Sequence, residues 1–350
     1  MKNFIYIFTS VMLLASSCKV EPNAAGPITK NGVYITNEGD FNTGQGEISF
    51  YDPASGDTIN NIFYNINRYH LGDVVQSMYI KDSTGFIVVN NSSKVEVVKI
   101  PSLKHILTIN IANSSPRYFL PVNDSVGYVT ELYASKIHVV NYKSGNLITD
   151  ITGVAKWTEH ILMLNGNVVV EERSLLSNPS ATGSIVTINP ANNTVMQRYT
   201  FAGSNIDGMI SDNLNRLWLG LDADSAANIL SSLYCVNTDM SVNKRIVLSA
   251  GHIASNLKIN GAGNQVYYLD NNGVNTVSIN DTIAPVSPFS ATAGRNLYGL
   301  GVDPRTGDVY VSDALDYVQN SRVYRYDSNG NLIQAFTAGV ISGNFAFSYQ

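Results

Sequence analysis

The sequence predicts an all-β fold: a seven-bladed β-propeller made of four-stranded antiparallel blades. Three observations carry that expectation. One phrase recurs along the chain: a short apolar segment, a turn, an alternating segment with a central aromatic, a polar loop, a second alternating segment, a turn and a last strand. Its clearest copies are 300–336 (LGVDPRTGDVYVSD, then SRVYRYDSNGNLIQAF) and 78–109 (MYIKDSTGFIVVNN, then SKVEVVKIPSLKHILTI), and others begin near Phe119, Ile161, Met209 and Leu257. The period, about 40–50 residues with four strand-like segments each, is that of propeller blades. Finally, the seventh copy is split between the two ends of the chain. Residues 32–38 (GVYITNE) match the second strand of the phrase with no first strand before them, and 343–349 (GNFAFSY) match that missing strand, as 299–303 (GLGVD) does. Pairing the last strand with the first blade closes the ring and removes an exposed sheet edge.

The N-terminus precedes the ring. Residues 1–17 read as a signal peptide: Lys2 gives the positive start, 4–14 are mostly apolar, and Ala15, Ser16 and Ser17 lead into Cys18. The apolar run is short for a bilayer span. Small residues before a cysteine make Cys18 the expected lipidated residue of a lipobox, although Ala15 stands where Leu is usual. Residues 18–31 are then a lipidated tether, and 32–350 form the propeller. Cys235 is left without a partner, between apolar neighbours, and reads as a buried structural thiol.

Composition agrees with a strand-rich, polar-looped protein. Hydrophobic residues make up 44% of the chain, enough for a core, whereas only 14% are charged. A net charge of −5 with scattered Lys and Arg excludes a basic stripe for nucleic acid. Five tripeptides of Asp, then Ser or Thr, then an apolar residue or Thr place hydroxyls at Thr58, Ser83, Ser125, Ser225 and Thr282, mostly where the repeat predicts turns. They resemble an O-glycosylation sequon of Bacteroidota envelope proteins, where glycans would be bulky and solubilising.

The opening 32–53 (GVYITNEGDFNTGQGEISFYDP), continued by 71–77, 88–98 and 115–118, resembles Bacteroidota surface lipoproteins with YncE-like propellers of a domain-of-unknown-function family. The resemblance implies a propeller held at the outer membrane by its lipid alone. By analogy with the cobalamin-capturing BtuG lipoproteins, it implies capture of a small molecule or glycan and hand-over to a TonB-dependent transporter.

Function is expected on the face where second strands end and innermost strands begin. The second strands are expected to end at Asn37, Asn90, Glu131, Glu171, Leu221, Asp270 and Asp313, a mainly acidic set facing the central funnel. Glu38 follows Asn37. Entries into the innermost strands add Gln76, Arg117, Trp157, Glu159, Asp207, His252, Asn256, Arg295 and Tyr298. Asn and Asp also end strands for purely local reasons, and Trp157 reads equally as a wedge between blades or a stacking platform. Long loops at 38–45, 172–184, 222–231 and 314–321 add Phe41, Arg173 and Tyr317. The sequence holds none of the motifs H-E-x-x-H, P-loop, G-x-S-x-G or G-x-G-x-x-G. The expectation is therefore a binding protein with no cofactor and no catalytic residue. The alternatives are a metal-supported lactonase-like hydrolase, drawing on Glu38, Asn90, Glu131, Glu171, Asp270 and Asp313, and a purely protein-binding propeller.

Overall fold

The computed structural model describes residues 28, 30–173, 183–203, 205–292 and 294–349. Within them lie seven separate four-stranded antiparallel sheets, the blades. Blades 2 to 7 occupy 75–110, 116–152, 157–200, 206–247, 255–291 and 297–340, each running from its innermost strand outward. Blade 1 takes its inner strand from the C-terminus: Ser342–Ser348 pairs antiparallel with Gly32–Asn37, followed outward by Glu47–Tyr51 and Thr58–Ile59. Each of the seven inner strands touches the next one around, so the ring closes. The split repeat is borne out.

The hydrophobic pattern explains why blades stack radially. Both faces of a blade are covered by neighbours, so the middle strands are largely apolar and buried on both faces, with successive residues pointing opposite ways. In blade 2, Ile87 and Val89 pack toward blade 1 while Phe86 and Val88 pack toward blade 3. In blade 5, Leu217, Leu219 and Leu221 face blade 4, and Trp218 faces blade 6. The core is thus seven clusters, one in each gap between blades. Trp218 is fully buried with its indole N–H on Asp212 (2.9 Å), as a core residue should be. Cys235 is a buried free thiol in the same cluster, and burial pushes its pKa up to about 11.

The repeated turn Asp-Pro-x-x-Gly-Asp at 52–57 and 303–308 shows how local chemistry sets these strands. Asp52 and Asp303 accept from the amides of Ala54 and Arg305, and Gly56 and Gly307 sit at φ +79° and +76°, where a side chain would be strained.

Cys18 and the expected signal segment lie outside the described residues. Of the five candidate glycosylation hydroxyls, Ser83, Ser225 and Thr282 are exposed and Ser125 is half-buried at its turn. The Thr58 hydroxyl is buried at the outer edge of blade 1, closed to modification in this fold.

Candidate functional site

Every inner strand breaks its ladder near its start. Pairing skips Gly343, Gln76, Arg117–Tyr118, Glu159–His160, Asp207–Gly208, Asn256–Leu257 and Tyr298–Gly299 in the seven blades. A β-bulge turns a side chain away from the plane its neighbours obey. Repeated seven times at one height, it aims side chains from six blades into the central channel, with Gly343 at the seventh. There they enclose a cavity of about 310 Å³ whose lining draws on all seven inner strands.

Buried charges organise one wall. The Arg117 guanidinium forks onto Glu159 (Nε–Oε2 2.8 Å, Nη2–Oε1 2.7 Å) and donates to Gln76. Such bidentate pairs fix orientation as well as energy. The Trp157 indole also donates to Glu159 (2.5 Å), and the Arg173 guanidinium lies over its ring at 5.0 Å. Burial alone would raise the Glu159 pKa, but Arg117 holds it down at about 2.

The carboxyls of the second wall hold their protons more tightly. Burial raises the pKa of Glu38 against a 2.8 Å hydrogen bond from Tyr298. Burial likewise raises that of Glu171 despite His160 at 2.7 Å and Arg173 nearby. Asp222 reaches about 6, through burial and then repulsion from Asp207, which Arg173 grips at 3.1 Å. Lys258 lies deep in the ring yet keeps some surface open, and reaches back to the Asn256 amide oxygen (2.7 Å). Burial lowers its pKa to about 8, with Asp207 and Glu171 resisting. A ¹³C-dimethyl-lysine NMR titration should therefore show one resonance, removed by Lys258→Arg, with a midpoint near pH 8. A midpoint near the ordinary value of about 10.4 would place that amine in bulk water.

Of the residues read from sequence, Glu38, Gln76, Arg117, Glu159, Asp207, Asn256 and Tyr298 line the cavity, while Trp157 and Glu171 adjoin it through the bonds above. The ring of second-strand ends is corrected. Asn37, Asn90, Glu131, Asp270 and Asp313 do not line the channel; their side chains tie down local backbone. Glu131 accepts from the Ser115 amide (2.8 Å), Asp270 from Ile253 (3.0 Å) and Asp313 from Asn296 (2.9 Å), each just before its blade's inner strand. Asn37 accepts from the Gly339 amide and the Ser342 hydroxyl, and Asn90 donates to the Pro116 carbonyl of the next blade. In blade 4 the neighbouring Glu172 performs this task on Ala155 (2.7 Å), which frees Glu171 for the channel. His252 pairs with Asp270 at 2.6 Å beside a separate cavity of about 200 Å³. Arg295 lies 3.7 Å over the Tyr324 ring and donates to the Tyr326 hydroxyl.

Arg173, read from the 172–184 loop, lines the channel as well; the structure adds Tyr118 and His160 to its wall, and Lys258 beneath it. Among the described residues, no three His, Cys, Asp or Glu side chains converge as a metal-binding group.

With this geometry in place, comparison with known proteins is informative. The profile of a family described as a domain of unknown function, DUF5074, matches residues 31–340. The chain belongs to the DUF5074 family. The DUF5074 chain has no match among curated proteins. Solved structures resemble it in fold. A quinonprotein alcohol dehydrogenase-like protein from Bacteroides thetaiotaomicron superposes with a TM-score of 0.72 at 13% identity, over 91% of this chain and 79% of that one. A functionally unknown protein from Desulfotomaculum acetoxidans gives 0.66 at 11% identity, over 91% and 99%. Virginiamycin B lyase from Staphylococcus aureus gives 0.58 at 11% identity, over 75% and 83%. Identities this low speak for the propeller of the DUF5074 chain and for nothing finer.

Proposed function

We propose that this protein is a non-enzymatic binding propeller of the cell envelope, which captures a compact polar ligand in the channel mouth and passes it to a TonB-dependent transporter. The observation that carries the reading is the sevenfold bulge, which commits polar side chains from every blade to one cavity. Its volume, about 310 Å³, is at the lower end of the range of ligand pockets, roughly 300–1,000 Å³. That suits a small molecule, or one polar arm of a larger one. Carboxyls (Glu38, Glu159, Glu171, Asp207, Asp222) outnumber cations (Arg117, Arg173, Lys258) around it, which favours a hydroxylated or cationic ligand over a multiply charged anion. The hydrolase alternative is less well supported, because three of its six expected oxygen donors (Glu131, Asp270, Asp313) are engaged in accepting backbone amides.

The test is thermal unfolding of the purified protein with corrinoids, haem, oligosaccharides, polyamines and calcium. A ligand at a hundred times its Kd should add about 2.7 kcal/mol of stability. Asp207→Asn should remove that shift, and deletion of the gene should block uptake of the same compound without any turnover by the pure protein. Turnover, or a shift with calcium alone, would replace capture with hydrolysis.

A further inference from the structure

A second and larger cavity, about 630 Å³, sits over blade 1 on the same face. The end of the first strand separates it from the channel: Glu38 borders the channel, whereas the preceding Asn37 borders this cleft. Its walls come from the 38–46 loop, the short helix Ile62–Asn67 with the segment after it, and the rim of blade 7 at Asn320 and 339–340.

The chemistry here differs from that of the channel. Tyr64 and His70 stack at 4.4 Å with their planes 19° apart, and both rings are exposed while lining the cleft. Stacking braces the two rings against each other and leaves the outer face of each free for a ligand. Gln45, Asn61 and Asn320 also line it. Among the described residues their side-chain amides have no hydrogen-bond partner, so each offers a carbonyl acceptor and an NH₂ donor side by side. At the floor, Glu47 is buried and accepts the amides of Ile48 (2.9 Å) and Tyr64 (3.0 Å), which ties the aromatic helix to the strand beneath. Among the described residues, no Lys or Arg is part of the lining.

We infer that this cleft is a saccharide-binding site, with the Tyr64–His70 stack as the platform for a sugar ring and the amides of Gln45, Asn61 and Asn320 as readers of its hydroxyls. A pyranose has one apolar C–H face, which stacks on an aromatic ring, and a girdle of hydroxyls that donate and accept at once. Planar amides match that girdle, since donor and acceptor lie side by side. The cationless lining argues against phosphorylated ligands, and the volume accommodates more than a single ring.

The experiment is native gel retardation of the full protein in neutral polysaccharides (starch, xylan, glucomannan, galactomannan and β-glucan). Calorimetry with the matching hexasaccharide follows. At least one polymer should retard the protein. Tyr64→Ala and Asn320→Ala should each weaken the hexasaccharide at least tenfold, with melting unchanged because both side chains are at the surface. Tyr133→Ala, an exposed tyrosine on blade 3, should bind like the parent. Absence of retardation throughout the panel overturns the inference. So does binding that survives Tyr64→Ala, or binding of adenosine or uridine in place of every saccharide.

Discussion

Removal of residues 342–350 should abolish cooperative folding, although it deletes only one strand. Ser342–Ser348 is the inner strand of blade 1, paired along the whole of Gly32–Asn37 and touching the inner strands of blades 7 and 2. Without it the first blade keeps no inner strand and the ring opens, which leaves an unpaired edge that invites aggregation. Phe345 leaves the cluster between blades 7 and 1, where it packs beside Tyr310 with ring centroids 6.0 Å apart. The Asn344 side chain no longer receives the Met78 amide of blade 2 (3.3 Å), and Ser312 loses the Ser342 carbonyl (2.5 Å). Phe345→Ala alone should lower stability by about 3–5 kcal/mol, within a total for folded proteins of roughly 5–15 kcal/mol. The deletion removes that contact and the whole ladder together. Size-exclusion chromatography and urea unfolding read the outcome: aggregates, or a shallow non-cooperative transition. A truncated monomer melting like the parent would show that the ring does not depend on this clasp.

The same strand shows why the fold was legible. Its partner sits at the other end of the sequence, but the phrase it belongs to is repeated six more times, so its absence before Gly32 and its presence after Ile341 are both visible. The site was only half legible, for a definite reason. Strand ends such as Glu131 and Asp313 have the right residue types, but their carboxylates are one bond away from the amides of the entering loop and are captured there. What faces the channel is set by the bulges, each of which shifts the alternation phase within a strand. A trace of this exists in sequence, since the inner strands carry a polar residue or Gly just ahead of their apolar run, as in PRYFLP, WTEHILML and IDGMIS. Lys258 carries no such mark. In isolation it is an ordinary strand lysine, and only the stacking of blades 4 to 6 around the channel brings it near Asp207 and Glu171.

Separation of Arg117 from Glu159 should produce the largest single-residue effect in the channel, with a pH signature that distinguishes it from a packing defect. Glu159 is buried and depends on the forked guanidinium for its charge. Arg117→Met leaves that carboxylate with the Trp157 indole as its remaining hydrogen-bond donor, and breaking a buried pair in this way costs about 3–5 kcal/mol. Arg117→Met combined with Glu159→Met should recover most of the loss, because a buried pair exchanged for apolar groups of similar size is often neutral. The sign with pH follows from linkage. In the parent, Glu159 titrates at about 2 when folded and near 4.3 when unfolded. Its contribution is therefore complete above about pH 4.3 and is lost as the pH falls toward 2. In Arg117→Met, burial acts unopposed by that guanidinium and raises the folded pKa. The group then favours the native state at low pH and opposes it as the pH rises through the new value. Urea unfolding at intervals between pH 3 and 7 should show the penalty of Arg117→Met growing with pH and smallest at the acid end. A penalty constant across that range would mean that Arg117 holds the channel by its packing and that Glu159 does not need its charge.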